Sequence, residues 1–186
     1  MTTAGEHEEA HERRPPTSVW LVPAQPHRDE LRRRIDGLAG EFATPRFDPH
    51  ITLVSGVVDD DVAAAGLAAV AAEWPSLELT AGPTDHGPER FKAVYVTFDD
   101  ARIHDLAGSV AAALRLSFDR TALAPHLSLL YVEGLPAATR ADVAARHDVP
   151  GQVWRFDSLL ASRPAGQPDD VECWQTVATA RLLHGQ

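Results

Sequence analysis

Two short strings constrain this chain more than any other feature: Asp48-Pro-His-Ile-Thr-Leu53 and Ala124-Pro-His-Leu-Ser-Leu129. Each sets a histidine directly after a proline and a hydroxyl residue two places further on, inside an apolar run. A β-strand repeats its side-chain direction every two residues, so His50 and Thr52 share one face while Ile51 and Leu53 take the other. His126 and Ser128 behave in the same way. Two copies predict a twofold site holding two imidazoles and two hydroxyls.

The order of elements around the copies repeats too. Ser18 to Val22 reads as a strand. The apolar positions Leu31, Ile35, Leu38 and Phe42 predict a helix from Pro26 to Phe42. His50 to Ser55 is a strand. The acids Asp59, Asp60 and Asp61 open a helix that passes through Val62, Leu67 and Val70 to Trp74. Leu77 to Thr80 alternates as a strand, and Gly82-Pro83 and Gly87-Pro88 mark turns. The order then restarts with a strand at Phe91 to Phe98, a helix from about Asp100 to Leu116 and the strand His126 to Val132. A helix opened by Pro136 runs to about His147, followed by strands at Gln152 to Ser162 and Trp174 to Leu182, with a loop at Gly166 to Asp170 between them. Trp20 precedes His50 by thirty residues, and Val96 precedes His126 by the same interval. The expectation is an α+β fold of two lobes related by a pseudo-twofold axis. Its repeat halves would be about 18–88 and 89–182 of one domain, 18–186, with antiparallel sheets lining a central cleft and helices outside.

Composition narrows the partners. The chain has 186 residues, long enough for one substantial core, and 44% of them are hydrophobic. Its single cysteine, Cys173, permits no internal disulfide and agrees with a cytoplasmic location. No apolar run reaches the length of a membrane span. Residues 1–17 are charged, lack a signal-peptide core and read as a disordered tail. The formal net charge of −10 argues against gripping a long nucleic acid, which needs a basic surface, and favours a small anionic substrate. The arginine run Arg32 to Arg34 reads as the wet face of a helix. Histidines 7, 11, 27, 86, 104, 147 and 184 lack the strand-and-hydroxyl setting and read as solvated.

Two imidazoles across a cleft suit in-line phosphoryl transfer. A neutral histidine takes a proton from water while a protonated one delivers a proton to the leaving alkoxide. The unperturbed pKa near 6.5 makes both species accessible at neutral pH. A hydroxyl two residues on can donate to a non-bridging phosphate oxygen. Neither copy offers zinc ligands at a recognised spacing, so no metal and no other cofactor is expected.

The pair His50-Ile-Thr52 and His126-Leu-Ser128 resembles the His-x-Thr/Ser signatures of the 2H phosphoesterase superfamily, and within it the cyclic phosphodiesterases of plant and yeast type. The likeness extends through Ser18-Val-Trp20, Glu41-Phe42, Pro45-Arg-Phe47, Pro125 to Tyr131 and Trp174-Gln-Thr-Val177. It implies that His50 and His126 are the acid–base pair and that Thr52 and Ser128 hold the phosphate, joined by Tyr131. It also implies that Trp20 and Phe91 flank the base or adenosine portion of the substrate. Lys92, the only lysine, stands where plant members carry glutamine.

The implied activity is metal-independent hydrolysis of nucleoside 2′,3′-cyclic phosphates to 2′-phosphates, or of ADP-ribose 1″,2″-cyclic phosphate to the 1″-phosphate, by a monomer. The alternatives are an RNA-end cyclic phosphodiesterase or 2′-5′ RNA ligase, and a nucleotide-binding module without catalysis. In a regular strand Tyr131 faces away from His126, so the resemblance requires a bulge or the strand's end to re-aim it. Trp74, Trp154 and Trp174 read as core aromatics.

Overall fold

A computed structural model describes residues 15–164 and 170–184. The expected tail therefore falls outside the described residues up to position 14, as does the loop at 165–169. Thr17, assigned above to the tail, is instead the fully buried first residue of a strand.

Along the chain run β1 (Thr17–Pro23), α1 (His27–Phe42), β2 (Ile51–Gly56), α2 (Asp60–Ala71), β3 (Leu77–Thr80) and β4 (Thr84–Asp85). A 3-10 turn (Arg90–Lys92) leads into β5 (Val94–Thr97), α3 (Ala101–Leu114), β6 (His126–Leu130), α4 (Ala137–Arg146) and β7 (Val153–Pro164). A second 3-10 turn (Val171–Cys173) opens β8 (Trp174–Arg181). The helices form where a buried stripe recurs at helical spacing: Leu31, Ile35 and Leu38 in α1, and Ile103, Leu106, Val110 and Leu114 in α3. Asp100 caps α3 by accepting the Arg102 backbone N–H at 2.9 Å. In α2 a Cβ on Gly66 would lie 2.6 Å from a Leu114 methyl, so a side chain there would require Leu114 to shift where α2 packs on α3.

The strands form one curled antiparallel sheet in the order β3-β7-β1-β2-β6-β5-β4, with β8 beside β7. Leu159 of β7 pairs with Leu21 on one side and Ala180 on the other, while Phe156 pairs with Pro23 and Leu77. One edge of β7 thus carries β1, and the other carries β3 and then β8. The two sequence halves exchange their closing strands. β7, from the second half, pairs with β1, and β4, from the first, pairs with β5. The motif strands β2 and β6 meet at the sheet centre through a single pair, Ile51 opposite Leu127, both fully buried.

All four helices cover one face of the sheet. They bury Val19, Leu21, Ile51, Leu53, Leu127 and Leu129 with their own apolar stripes in a continuous core. The opposite face carries a small separate cluster of Trp20, Val22 and Leu160, with Trp174 against it. Among the described residues no helix is long and apolar enough to cross a membrane.

The expected strand from Phe91 is shorter. Phe91 lies on the 3-10 turn, and β5 begins only at Val94. That turn is tied to β6 and to the segment just after it, because the Ser128 hydroxyl donates to the Phe91 carbonyl at 2.6 Å and Val132 N–H to the Arg90 carbonyl at 3.1 Å. β4 was not legible in the Gly-Pro turn region; it is two residues long and exists only by pairing with β5.

Candidate active site

Both motif strands carry the same irregularity. Between Val19 and Trp20 the register on β2 jumps from Val54 to Thr52, so Leu53 is an extra residue. Between Val94 and Tyr95 it jumps on β6 from Leu130 to Ser128, so Leu129 is extra. A bulge directly after the hydroxyl residue reverses the alternation. Leu53 and Val54 both enter the core, as do Leu129 and Leu130. The next residue in each copy, Ser55 and Tyr131, therefore returns to the face of its histidine. This bulge is what brings Tyr131 to the site, five residues after His126.

The cleft on that face has a volume of about 560 Å³ and is lined by His50, Thr52, His126, Ser128 and Tyr131. Ser18, Trp20, Phe91, Trp174 and the turn residues Glu89, Arg90 and Lys92 complete its wall. All seven site residues named from the sequence thus reach one cavity.

Each histidine is clamped alike. The Nδ1–H of His50 donates to the Asp48 carbonyl at 2.6 Å, and that of His126 to the Ala124 carbonyl at 2.8 Å. A carbonyl only accepts, so Nδ1 carries the proton and Nε2 is left for a ligand. The proline between acceptor and histidine favours an extended backbone at the acceptor residue. That is why the motif reads x-Pro-His.

The surroundings then separate the two rings. His50 is 6% exposed and stacks on Trp20, with centroids 3.9 Å apart and planes at 13°. Burial foremost, with the charge of His126 adding to it, lowers its pKa to about 4 against the pull of the Asp48 carbonyl and carboxylate. His126 is less buried and meets Tyr95 edge-on at 5.4 Å. Burial lowers its pKa as well, the Ala124 carbonyl opposes this, and the nearby Lys92 ammonium lowers it further. Asp48 is held by Arg28 at 3.1 Å and by Arg32. Burial alone would raise its pKa, but the hydrogen bonds and charges of Arg32 and Arg28 outweigh that and keep the carboxyl below its usual range.

The hydroxyls differ too. Ser128 is buried and spends its proton on the Phe91 carbonyl, whereas the half-exposed Thr52 hydroxyl has no hydrogen-bond partner among the described residues. Tyr131 is 4% exposed and stacks on Phe47 at 3.7 Å, and burial raises its pKa.

Several readings of the sequence change here. Trp20 lines the cleft and also stacks on the His50 imidazole, with Trp174 tilted against it at 5.4 Å. Trp174, read as a core aromatic, lines the cleft 6.4 Å from Phe91. Trp154 does lie in the core, and Trp74 packs partly buried against it. Arg32, read as wet surface, anchors Asp48. His27, read as solvated, accepts the Arg155 backbone N–H at 3.0 Å. The signal for Trp174 was its place at the head of the Trp174-Gln-Thr-Val177 string in a β-strand; its face could not be assigned without the partner strand. No group of three or more His, Cys, Asp or Glu side chains suited to a metal occurs among the described residues.

A sequence profile of the 2′-5′ RNA ligase superfamily matches residues 13–164. The chain is 25% identical over 171 residues to the cyclic phosphodiesterase of Arabidopsis thaliana, covering 89% of this chain and 94% of that one. Among solved structures, TT0787 of Thermus thermophilus superposes with a TM-score of 0.60 at 14% identity, over 92% of this chain and 100% of that one. LigT of E. coli, complexed with ATP, gives 0.59 at 14% identity, again over 92% and 100%. These two structures share the fold. Fold and family together define a phosphodiesterase of the 2H class. The chain belongs to the 2′-5′ RNA ligase superfamily.

Proposed function

We propose that the chain hydrolyses small cyclic phosphodiesters. Its substrates are nucleoside 2′,3′-cyclic phosphates, opened to 2′-phosphates, and ADP-ribose 1″,2″-cyclic phosphate, opened to the 1″-phosphate. The observation that carries this reading is the matched clamp on His50 and His126, which leaves two Nε2 atoms for one cleft. Its volume of about 560 Å³ lies in the range of small-molecule sites.

His50, the more deeply buried ring, stays neutral and takes a proton from the attacking water. The new P–O bond forms as the ring P–O bond breaks, and His126 gives its proton to the departing oxygen. Exchange with solvent then returns His50 to neutral and His126 to imidazolium. The negative phosphate of the substrate favours protonation of the ring beside it, which offsets the low affinity of His126 for a proton in the empty cleft. Thr52 donates to a non-bridging oxygen, where charge accumulates in the transition state. Phe91, 37% exposed, and Trp174 offer the aromatic surface for a base.

The superfamily match favours a second reading, an RNA-end cyclic phosphodiesterase or ligase-like activity. The net charge of −10 weighs against a long polyanion. The test supplies a cyclic mononucleotide, ADP-ribose cyclic phosphate and an oligonucleotide ending in a 2′,3′-cyclic phosphate, all in EDTA, and determines which ester oxygen keeps the phosphate. Rapid opening of the small substrates to the stated monoesters supports the proposal. Turnover of the oligonucleotide alone transfers it to the second reading, and binding without turnover leaves a nucleotide-binding module.

A further inference from the structure

The two halves of the cleft present unequal equipment to an anion. Beside His50, the Thr52 hydroxyl is half-exposed and has no partner among the described residues. Beside His126, the matching hydroxyl is spent: Ser128 donates to the Phe91 carbonyl at 2.6 Å. The turn held by that bond, Arg90–Lys92, carries Lys92 into the cleft wall. Its ammonium lies 5.8 Å from the centroid of Tyr95, whose ring in turn meets His126 at 5.4 Å. Among the described residues no carboxylate comes within ion-pair distance of Lys92, Glu89 of the same turn included.

Resting on the phosphodiesterase reading of this cleft, we propose that Lys92 is the anion-binding group of the His126 side, taking the place that Thr52 holds beside His50. A cation with no counter-ion next to an imidazole opposes protonation of that ring while the cleft is empty. An anionic phosphate between the two satisfies both charges, so binding of the anion and proton uptake by His126 support each other. Lys92 thus contributes twice, by holding a phosphate oxygen and by tying the acid form of His126 to the presence of substrate. The other titratable or charged groups around His126 are Tyr95, which meets its ring, and His50, Tyr131, Glu89 and Arg90, which share the cleft wall; all of them are retained in the variants below.

The test needs no turnover. Binding of inorganic phosphate is measured by calorimetry across pH, and the His126 ring is titrated by NMR, in the wild type, Lys92→Gln and Lys92→Arg. Lys92 is partly exposed on a turn, so its replacement leaves the core intact. Lys92→Gln should weaken phosphate binding about tenfold, raise the His126 titration point of the empty protein towards its ordinary value and abolish most of the proton uptake on binding; Lys92→Arg should restore all three. Unchanged affinity and an unchanged His126 titration in Lys92→Gln would make Lys92 a solvated turn residue and overturn the proposal. Lys92-dependent phosphate binding in a protein that opens no cyclic phosphate would retain it and reject the hydrolase reading instead.

Discussion

His50 is a buried imidazole that folding must keep uncharged, and that has a measurable consequence for stability. Its pKa stands at about 4 in the folded chain against 6.5 for the free side chain. Above pH 6.5 neither state binds the proton. As the pH falls from 6.5 to 4 the unfolded chain takes it up and the folded chain does not, so stability drops through that window and the loss stops below pH 4. Across that window, at about 1.4 kcal/mol per pH unit, the loss amounts to roughly 3 kcal/mol. His50→Gln cannot titrate. Its unfolding free energy, from urea curves followed by tryptophan fluorescence, should therefore fall less than that of the wild type between pH 7 and pH 4, by roughly 3 kcal/mol. Carboxylates such as Asp48 titrate in both proteins and cancel in the comparison. Parallel stability curves for the two proteins would refute the claim that burial under Trp20 holds the ring neutral.

Other consequences concern activity and assembly. With His50 titrating at about 4 and His126 below 6.5, kcat/KM for a small cyclic phosphate should be bell-shaped, with its maximum on the acid side of neutral; a rate–pH profile checks this, and a maximum above pH 8 would contradict it. Trp20→Leu uncovers the His50 ring, so the acid limb of that profile should move to higher pH, and activity at pH 5 should fall more than at pH 7. Thr52→Val removes the unpartnered donor and should lower kcat by roughly 100-fold with little change in melting temperature. Leu127→Ala opens a cavity at the single pair joining β2 to β6 and should cost roughly 2–5 kcal/mol by denaturant titration.

Much of this site could be read from local pattern. The period-two placement of His50 with Thr52 and of His126 with Ser128 was enough to put four side chains on one face, and the repeated element order was enough to bring them together. Tyr131 marks the limit. Its direction depends on a bulge at Leu129, and a bulge is set by how β6 pairs with β5, not by the residues of β6 alone. Trp174 and Lys92 were opaque for the same reason, since the face of β8 and the aim of the 3-10 turn follow from strands distant in sequence. The exchange of β4 and β7 between the halves was equally hidden, because both halves have the same linear order whichever strand they pair with. The proposed division of labour between the two matching motifs lay outside the sequence entirely. It comes from Trp20 covering one ring while the other stays closer to solvent.

The proposed hydrolysis in this cleft requires the two histidines to act together. The direct measurement is the initial rate of hydrolysis of adenosine 2′,3′-cyclic phosphate in EDTA by the wild type, His50→Ala and His126→Ala, each shown to be folded by circular dichroism. Loss of roughly 100- to 10,000-fold in each variant is predicted, as for removal of a general acid or base. A folded variant of either kind that keeps the wild-type rate would contradict it.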